Sequence, residues 1–182
     1  ESGAGAVMIG DVADDAGELT TAIANDGLIQ ARGDGVALAA DIVGGLEIAN
    51  TNTIVAADGP AMQVVAGEVL LGNSGVIVSD GGTGVRLQAN TVSVSNGAGA
   101  LIRGGGGGEE NGGMAVLGRT VDISNAGVIT GVLTGLGAAG EEVTVTNDID
   151  GVIAGDVRGL GLAAARNATI DNAGYISGLM AA

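Results

Sequence analysis

The chain has 182 residues, 37 of them glycine; Phe, Trp, Cys and His are absent and Tyr175 is the only aromatic. A net charge of −15, from 21 acidic residues against six arginines and no lysine, repels nucleic acid and anionic lipid and excludes both as general partners. Without His or Cys there is no disulfide, no Ser-His-Asp or Cys-His arrangement and none of the usual transition-metal sites.

The apolar content is almost all Val, Ile, Leu, Ala and Met, which suits a narrow interior lined by short strands better than a globular core built on aromatics. Glycine follows no triplet period and Pro60 stands alone, so the chain is not collagen-like. No apolar run reaches the roughly 18 residues of a membrane span, so no membrane insertion is expected. The chain opens on Glu1 without a charged-then-apolar leader and reads as a processed product or a window of something longer.

In chain order, Ala6-Val7-Met8-Ile9 forms a first short apolar run. An acidic turn follows (Asp11, Asp14, Asp15, Glu18), and Leu19 leads into the first copy of a motif, Ile23-Ala24-Asn25-Asp26-Gly27-Leu28-Ile29. The motif returns cleanly around Asn73, Asn125 and Asn172. Around Asn50 its glycine is replaced by Asn52, and the copies at Asn96 and Asn147 carry a two-residue insertion ending in Ile102 and Ile153. The seven anchors, Asn25, Asn50, Asn73, Asn96, Asn125, Asn147 and Asn172, are 25, 23, 23, 29, 22 and 25 residues apart. A fixed period of this length marks a repeat whose units bury their apolar faces against one another. Alternation around Asn-x-Gly predicts strand, corner, strand, with the glycine supplying positive φ at the corner.

Between anchors, a second segment opens on glycine: Gly35 to Leu38, Gly84 to Leu87, Gly113 to Val116 and Gly159 to Leu162. A third leads into the next anchor: Leu46-Glu47-Ile48, Val69-Leu70-Leu71, Val92-Ser93-Val94, Val121-Asp122-Ile123 and Val143-Thr144-Val145. Two or three strands per turn without helical spacing predict an all-β fold. Residues 1–182 are expected to form a single parallel, right-handed β-solenoid of about seven coils, its repeat about 22–25 residues. At a rise of about 4.8 Å per coil the rod is about 34 Å long, and the recurrent asparagines form an amide ladder along it. The long step contains residues 104–113, a Gly-rich acidic tract with Glu109 and Glu110 that reads as a loop insertion.

Asp34, Asp58 and Asp80 each precede a glycine at a similar phase. Stacked on one corner, they are candidate calcium ligands; the plainer reading is Asp-Gly turn chemistry. No other cofactor is expected. Arg32-Gly33-Asp34 spells a known recognition tripeptide, a coincidence expected in a chain so rich in Gly and Asp.

The Ile-x-Asn-x-Gly-x-Ile copies resemble the repeats of bacterial extracellular β-helix proteins, such as autotransporter passengers and large surface adhesins. The resemblance implies a right-handed rod, secreted or displayed on a bacterial surface, and transfers no catalytic residue.

Open solenoid ends are templates for further pairing. Val7, Ile9 and Leu19 at one end and Ile170 and Ile176 at the other are the candidate assembly residues, with the two termini expected to be complementary parts of one coil. The expected partner is therefore the chain itself, head to tail, or the continuation of a longer solenoid. The function expected first is a structural building block of an extracellular fibre, without enzymatic activity. The second is an adhesive module holding a cell-surface or matrix ligand, and the third a carboxylate-based polysaccharide-degrading enzyme.

Overall fold

A computed structural model of the chain describes residues 7–10, 20–106 and 112–178. Among them there is no helix; seventeen strands lie in two sheets, and every pairing is parallel. The expected β-solenoid is the architecture observed.

Each rung of the stack contributes to three faces. The first face consists of β1 (Val7–Gly10), β4 (Leu38–Asp41), β7 (Met62–Val65) and the leading parts of β10 (Val85–Asn96), β12 (Gly112–Asn125), β14 (Thr134–Asn147) and β16 (Arg158–Asn172). The second comprises β2 (Thr20–Asn25), β5 (Gly45–Asn50), β8 (Glu68–Asn73) and the trailing parts of those same long strands. The third is a separate seven-stranded sheet of β3 (Leu28–Ala31), β6 (Thr53–Ala56), β9 (Val76–Ser79), β11 (Leu101–Gly104), β13 (Val128–Gly131), β15 (Val152–Gly155) and β17 (Tyr175–Gly178). The described residues thus make seven rungs with all three faces present in each. That corrects the expectation of complementary part-coils at the termini: Val7–Gly10 already pairs with Leu38–Asp41 as the first-face strand of rung one.

Period-two alternation decides what lies inside. In β5, Leu46, Ile48 and Asn50 point inward while Glu47 and Ala49 face solvent, and β8 repeats the pattern with Val69, Leu71 and Asn73. Parallel register then stacks like on like. On the third face one column reads Ile29, Ile54, Ile77, Ile102, Ile129, Ile153, Ile176 without exception. The five isoleucines between the ends of that column are fully buried.

Two details depart from the sequence reading. The second and third segments merge in rungs four to seven, where β10, β12, β14 and β16 carry the pairing across the bend; in rungs two and three the strand breaks at Val43-Gly44 and Ala66-Gly67. The 104–113 tract is shorter than a ten-residue loop, because Gly104 ends β11 and Gly112 and Gly113 begin β12; residues 107–111 lie outside those described.

The corner glycines also act differently from expectation. Positive φ occurs at Gly33, Gly99 and Gly106, none of them in an Asn-x-Gly corner. A Cβ on Gly127 would lie 2.5 Å from the carbonyl oxygens of Gly97 and Ala100, and one on Gly75 would collide with Asn52 backbone. Closeness between successive rungs, rather than a left-handed turn, requires glycine there. Gly27, in rung one, meets nothing within 4 Å.

Candidate functional site: the asparagine ladder and the end rungs

All seven predicted anchors converge. Each asparagine is the last residue of its second-face strand, with its side chain turned inward at the corner. Asn25 Nδ2 donates to Asn50 Oδ1 at 2.6 Å, and Asn50 to Asn73 at 2.7 Å. The chain of bonds continues from Asn73 to Asn96 and from Asn96 to Asn125, both at 2.8 Å, then to Asn147 at 2.7 Å and Asn172 at 2.8 Å. Each amide nitrogen also donates to a backbone carbonyl, either at a corner, as Asn125 to Gly127 O at 3.1 Å and Asn147 to Gly151 O at 3.0 Å, or at the start of the next third-face strand, as Asn96 to Val128 O at 3.4 Å. Asn50, Asn73, Asn96, Asn125 and Asn147 are buried to 2% exposure or less, so these bonds form away from competing water. Every buried side-chain nitrogen and oxygen among the described residues has a partner, as a stable buried polar column requires.

The ladder is polar. Every amide donates toward the C-terminal rung and accepts from the N-terminal one. At its first member, Asn25 Oδ1 accepts only a 3.3 Å bond from its own corner, from Gly27 N, among the described residues. At its last, Asn172 Nδ2 donates to Gly174 O, also at 3.3 Å. One end therefore offers an amide acceptor and the other an amide donor, on the same column of the stack.

The predicted end residues lie on those same rungs. Val7 and Ile9 are half-buried in β1, where they register with Leu38 and Ala40. Ile170 is 52% exposed although its column partner Val145 is fully buried, and Ile176 is half-buried above Ile153. Leu19, together with Asp11, Asp14, Asp15 and Glu18, lies outside the described residues.

The three aspartates do not form one row. Asp58 N donates to Gly33 O, which places Asp58 over Asp34, whereas Asp80 N donates to Ala56 O and so falls over Ala57. Asp80 instead pairs with Arg103 Nη2 at 2.8 Å. No group of three or more Asp or Glu side chains that could hold a metal ion occurs among the described residues. Arg32, Gly33 and Asp34 form an exposed turn after β3, with Gly33 at φ 71°.

Sequence reasoning missed an ion-pair column at the bend between the first and second faces. Glu141 lies between Arg119 on the rung before, at 3.3 Å, and Arg166 on the rung after, at 3.6 Å. A register shift between Gly140 and Glu142 sets Ala165 and Arg166 opposite Glu141 alone, a β-bulge that re-aims the arginine. The only signal in the sequence is the one extra residue between Leu160 and Ala168 compared with Leu136 and Val143.

Comparison with protein-family models, curated proteins and solved structures finds no match to this chain.

Proposed function

We propose that this chain is a structural unit of an extracellular or cell-surface fibre, continued end to end by further rungs of the same kind. The polar asparagine ladder carries this reading: among the described residues Asn25 Oδ1 accepts from no rung before it and Asn172 Nδ2 donates to no rung after it, and the two are complementary only head to tail. Gly27 supports it. Glycine at this corner is needed where the carbonyls of a preceding rung press against it, as at Gly75 and Gly127, yet Gly27 has open space on that side. In a continued stack Ile170 meets Ile23, Tyr175 meets Leu28 and Ile176 meets Ile29, so the isoleucine columns run on unbroken. A head-to-tail contact whose rotation does not close produces an open filament. The seven-rung solenoid also suits the likeness to bacterial surface β-helix proteins, and a secreted or surface-displayed rod is part of the proposal.

Electron microscopy and sedimentation of the purified chain over a range of concentrations test it. Linear particles that lengthen with concentration are expected, and are lost in Ile170→Asp while the β-sheet circular dichroism of the dilute protein stays. Uniform short particles at every concentration would overturn the reading. Glycan cleavage abolished by a single Asp→Asn change would replace it with the enzymatic one.

A further inference from the structure

The seven ladder asparagines differ in the residue that follows each of them: Asp26, Thr51, Ser74, Gly97, Ala126, Asp148 and Ala173. These positions stack in one column, each backbone N–H from Thr51 onward donating to the anchor carbonyl of the rung before. Only rung four has glycine there. The fold does not require it. The other six rungs carry a side chain at this position, Gly97 has no positive φ, and an added Cβ would stand 3.4 Å from Asn73 O, a tolerable contact.

Asparagine followed by glycine can modify itself. With no side chain to shield it, the glycine nitrogen reaches the amide carbon of the residue before it, which is one source of the thermal lability of asparagine. At this pair Gly97 N would lose its proton and bond to Asn96 Cγ, the Cγ–Nδ2 bond would break, and ammonia would leave. Water then opens the cyclic imide at either carbonyl, giving aspartate or isoaspartate, and no other reactant is needed. In the folded rod both reacting groups are held. Gly97 N donates to Asn73 O at 2.8 Å. Asn96 Oδ1 accepts from Asn73 Nδ2 and Asn96 Nδ2 donates to Asn125 Oδ1, both at 2.8 Å and at 1% exposure of Asn96. Cyclisation needs these bonds released and the side chain turned back onto its own backbone, so rung four must open first.

We infer that Asn96–Gly97 is a latent self-modification site in the middle of the ladder, inert while rungs three to five are stacked and converted to aspartate or isoaspartate when they open. The product cannot return to its place. A carboxylate at position 96 has no hydrogen for Asn125 Oδ1 or Val128 O and would be a charge in a dry corner. Isoaspartate adds a carbon to the backbone and displaces the corner from its register. Prolonged opening thereby becomes irreversible, and a chain so marked is barred from the rod. The inference does not depend on end-to-end assembly, since rung four is interior to a single chain.

The test is peptide mapping by mass spectrometry of the whole chain, held at mildly alkaline pH in buffer and in urea sufficient to abolish its β-sheet circular dichroism. Mapping separates Asn96 from Asn111, the other asparagine followed by glycine. Conversion at Asn96 is expected in urea and about a hundredfold or more slower in buffer, the ratio reporting the free energy of opening. Gly97→Ala is expected to slow conversion in urea severalfold, a measurement that does not require the variant to fold. Once urea is removed, chains converted at Asn96 are expected in the unfolded fraction and not in the folded one. No conversion in urea, equal rates in buffer and urea, an undiminished rate in Gly97→Ala, or converted chains with the native melting temperature would overturn the inference.

Discussion

Rung five and rung seven carry closely similar second-face sequences, Val121-Asp122-Ile123-Ser124-Asn125 against Ala168-Thr169-Ile170-Asp171-Asn172. Their fates differ. Ile123 is fully buried and Asn125 is 0% exposed, whereas Ile170 is 52% exposed and Asn172 is open to solvent. The isoleucine and the asparagine hold the same inward positions in both, and the number of neighbouring rungs differs. Burial in this molecule is therefore a property of the stack and not of the unit, as expected when each repeat touches only its neighbours. An end rung carries the same apolar and amide groups as an interior one without the contact that offsets their ordering, which is why the ends are the reactive part of the rod.

That contrast can be broken most severely through the ladder. Asn125→Ala strips Asn147 Oδ1 of its ladder donor and leaves Asn96 Nδ2 with only Val128 O at 3.4 Å, both in a dry corner, at about 1–3 kcal/mol for each buried group and so about 2–6 kcal/mol at most. Asn172→Ala removes one bond at an open corner, where Asn147 Nδ2 keeps Gly151 O; it is expected to cost under about 1 kcal/mol. Urea denaturation of dilute protein measures both, and equal losses would mean the amides do not act as a column. The isoleucine column gives the next largest effect. Ile129→Ala is expected to cost about 2–5 kcal/mol, Ile176→Ala less than half as much because it leaves a hole already open to water. Thermal unfolding ranks the pair.

Concentration sharpens the same comparison. If rungs one and seven join, the melting temperature rises with protein concentration by mass action, and Ile170→Asp removes that dependence without shifting the dilute value. The smallest effect belongs to the surface pairs. Arg103→Ala breaks a bridge whose side chains are 49% and 65% exposed, so less than about 1 kcal/mol is expected, and less still at high salt. A loss comparable with Asn125→Ala would show that the corner at Asp80 carries weight that its exposure does not suggest.

Much of this fold was legible because the signal repeats. A single Asn-x-Gly is a common turn; seven asparagines spaced 22 to 29 residues apart, each preceded by an aliphatic residue and followed by an isoleucine, leave few architectures open. The strand at Met62–Val65 was not read, because Pro60 and Gln63 obscure its alternation, nor was the strand at Leu136, where Gly135 and Gly137 do the same. The calcium row at Asp34, Asp58 and Asp80 failed to line up for a related reason: a slip of one residue at a corner is invisible in spacing alone but moves a side chain out of its row.

The sequence by itself determined the repeat, the inward set of Ile, Val and Asn, and the acidic, cysteine-free surface, since all of these follow from local alternation and composition. Only the tertiary structure decided which outward residues stand beside one another on successive rungs. That placement creates the Arg119–Glu141–Arg166 column. The physical reason is that neighbours across rungs are some 22 to 29 residues apart in sequence but about 4.8 Å apart in space, and a one-residue insertion at any corner resets which of them meet.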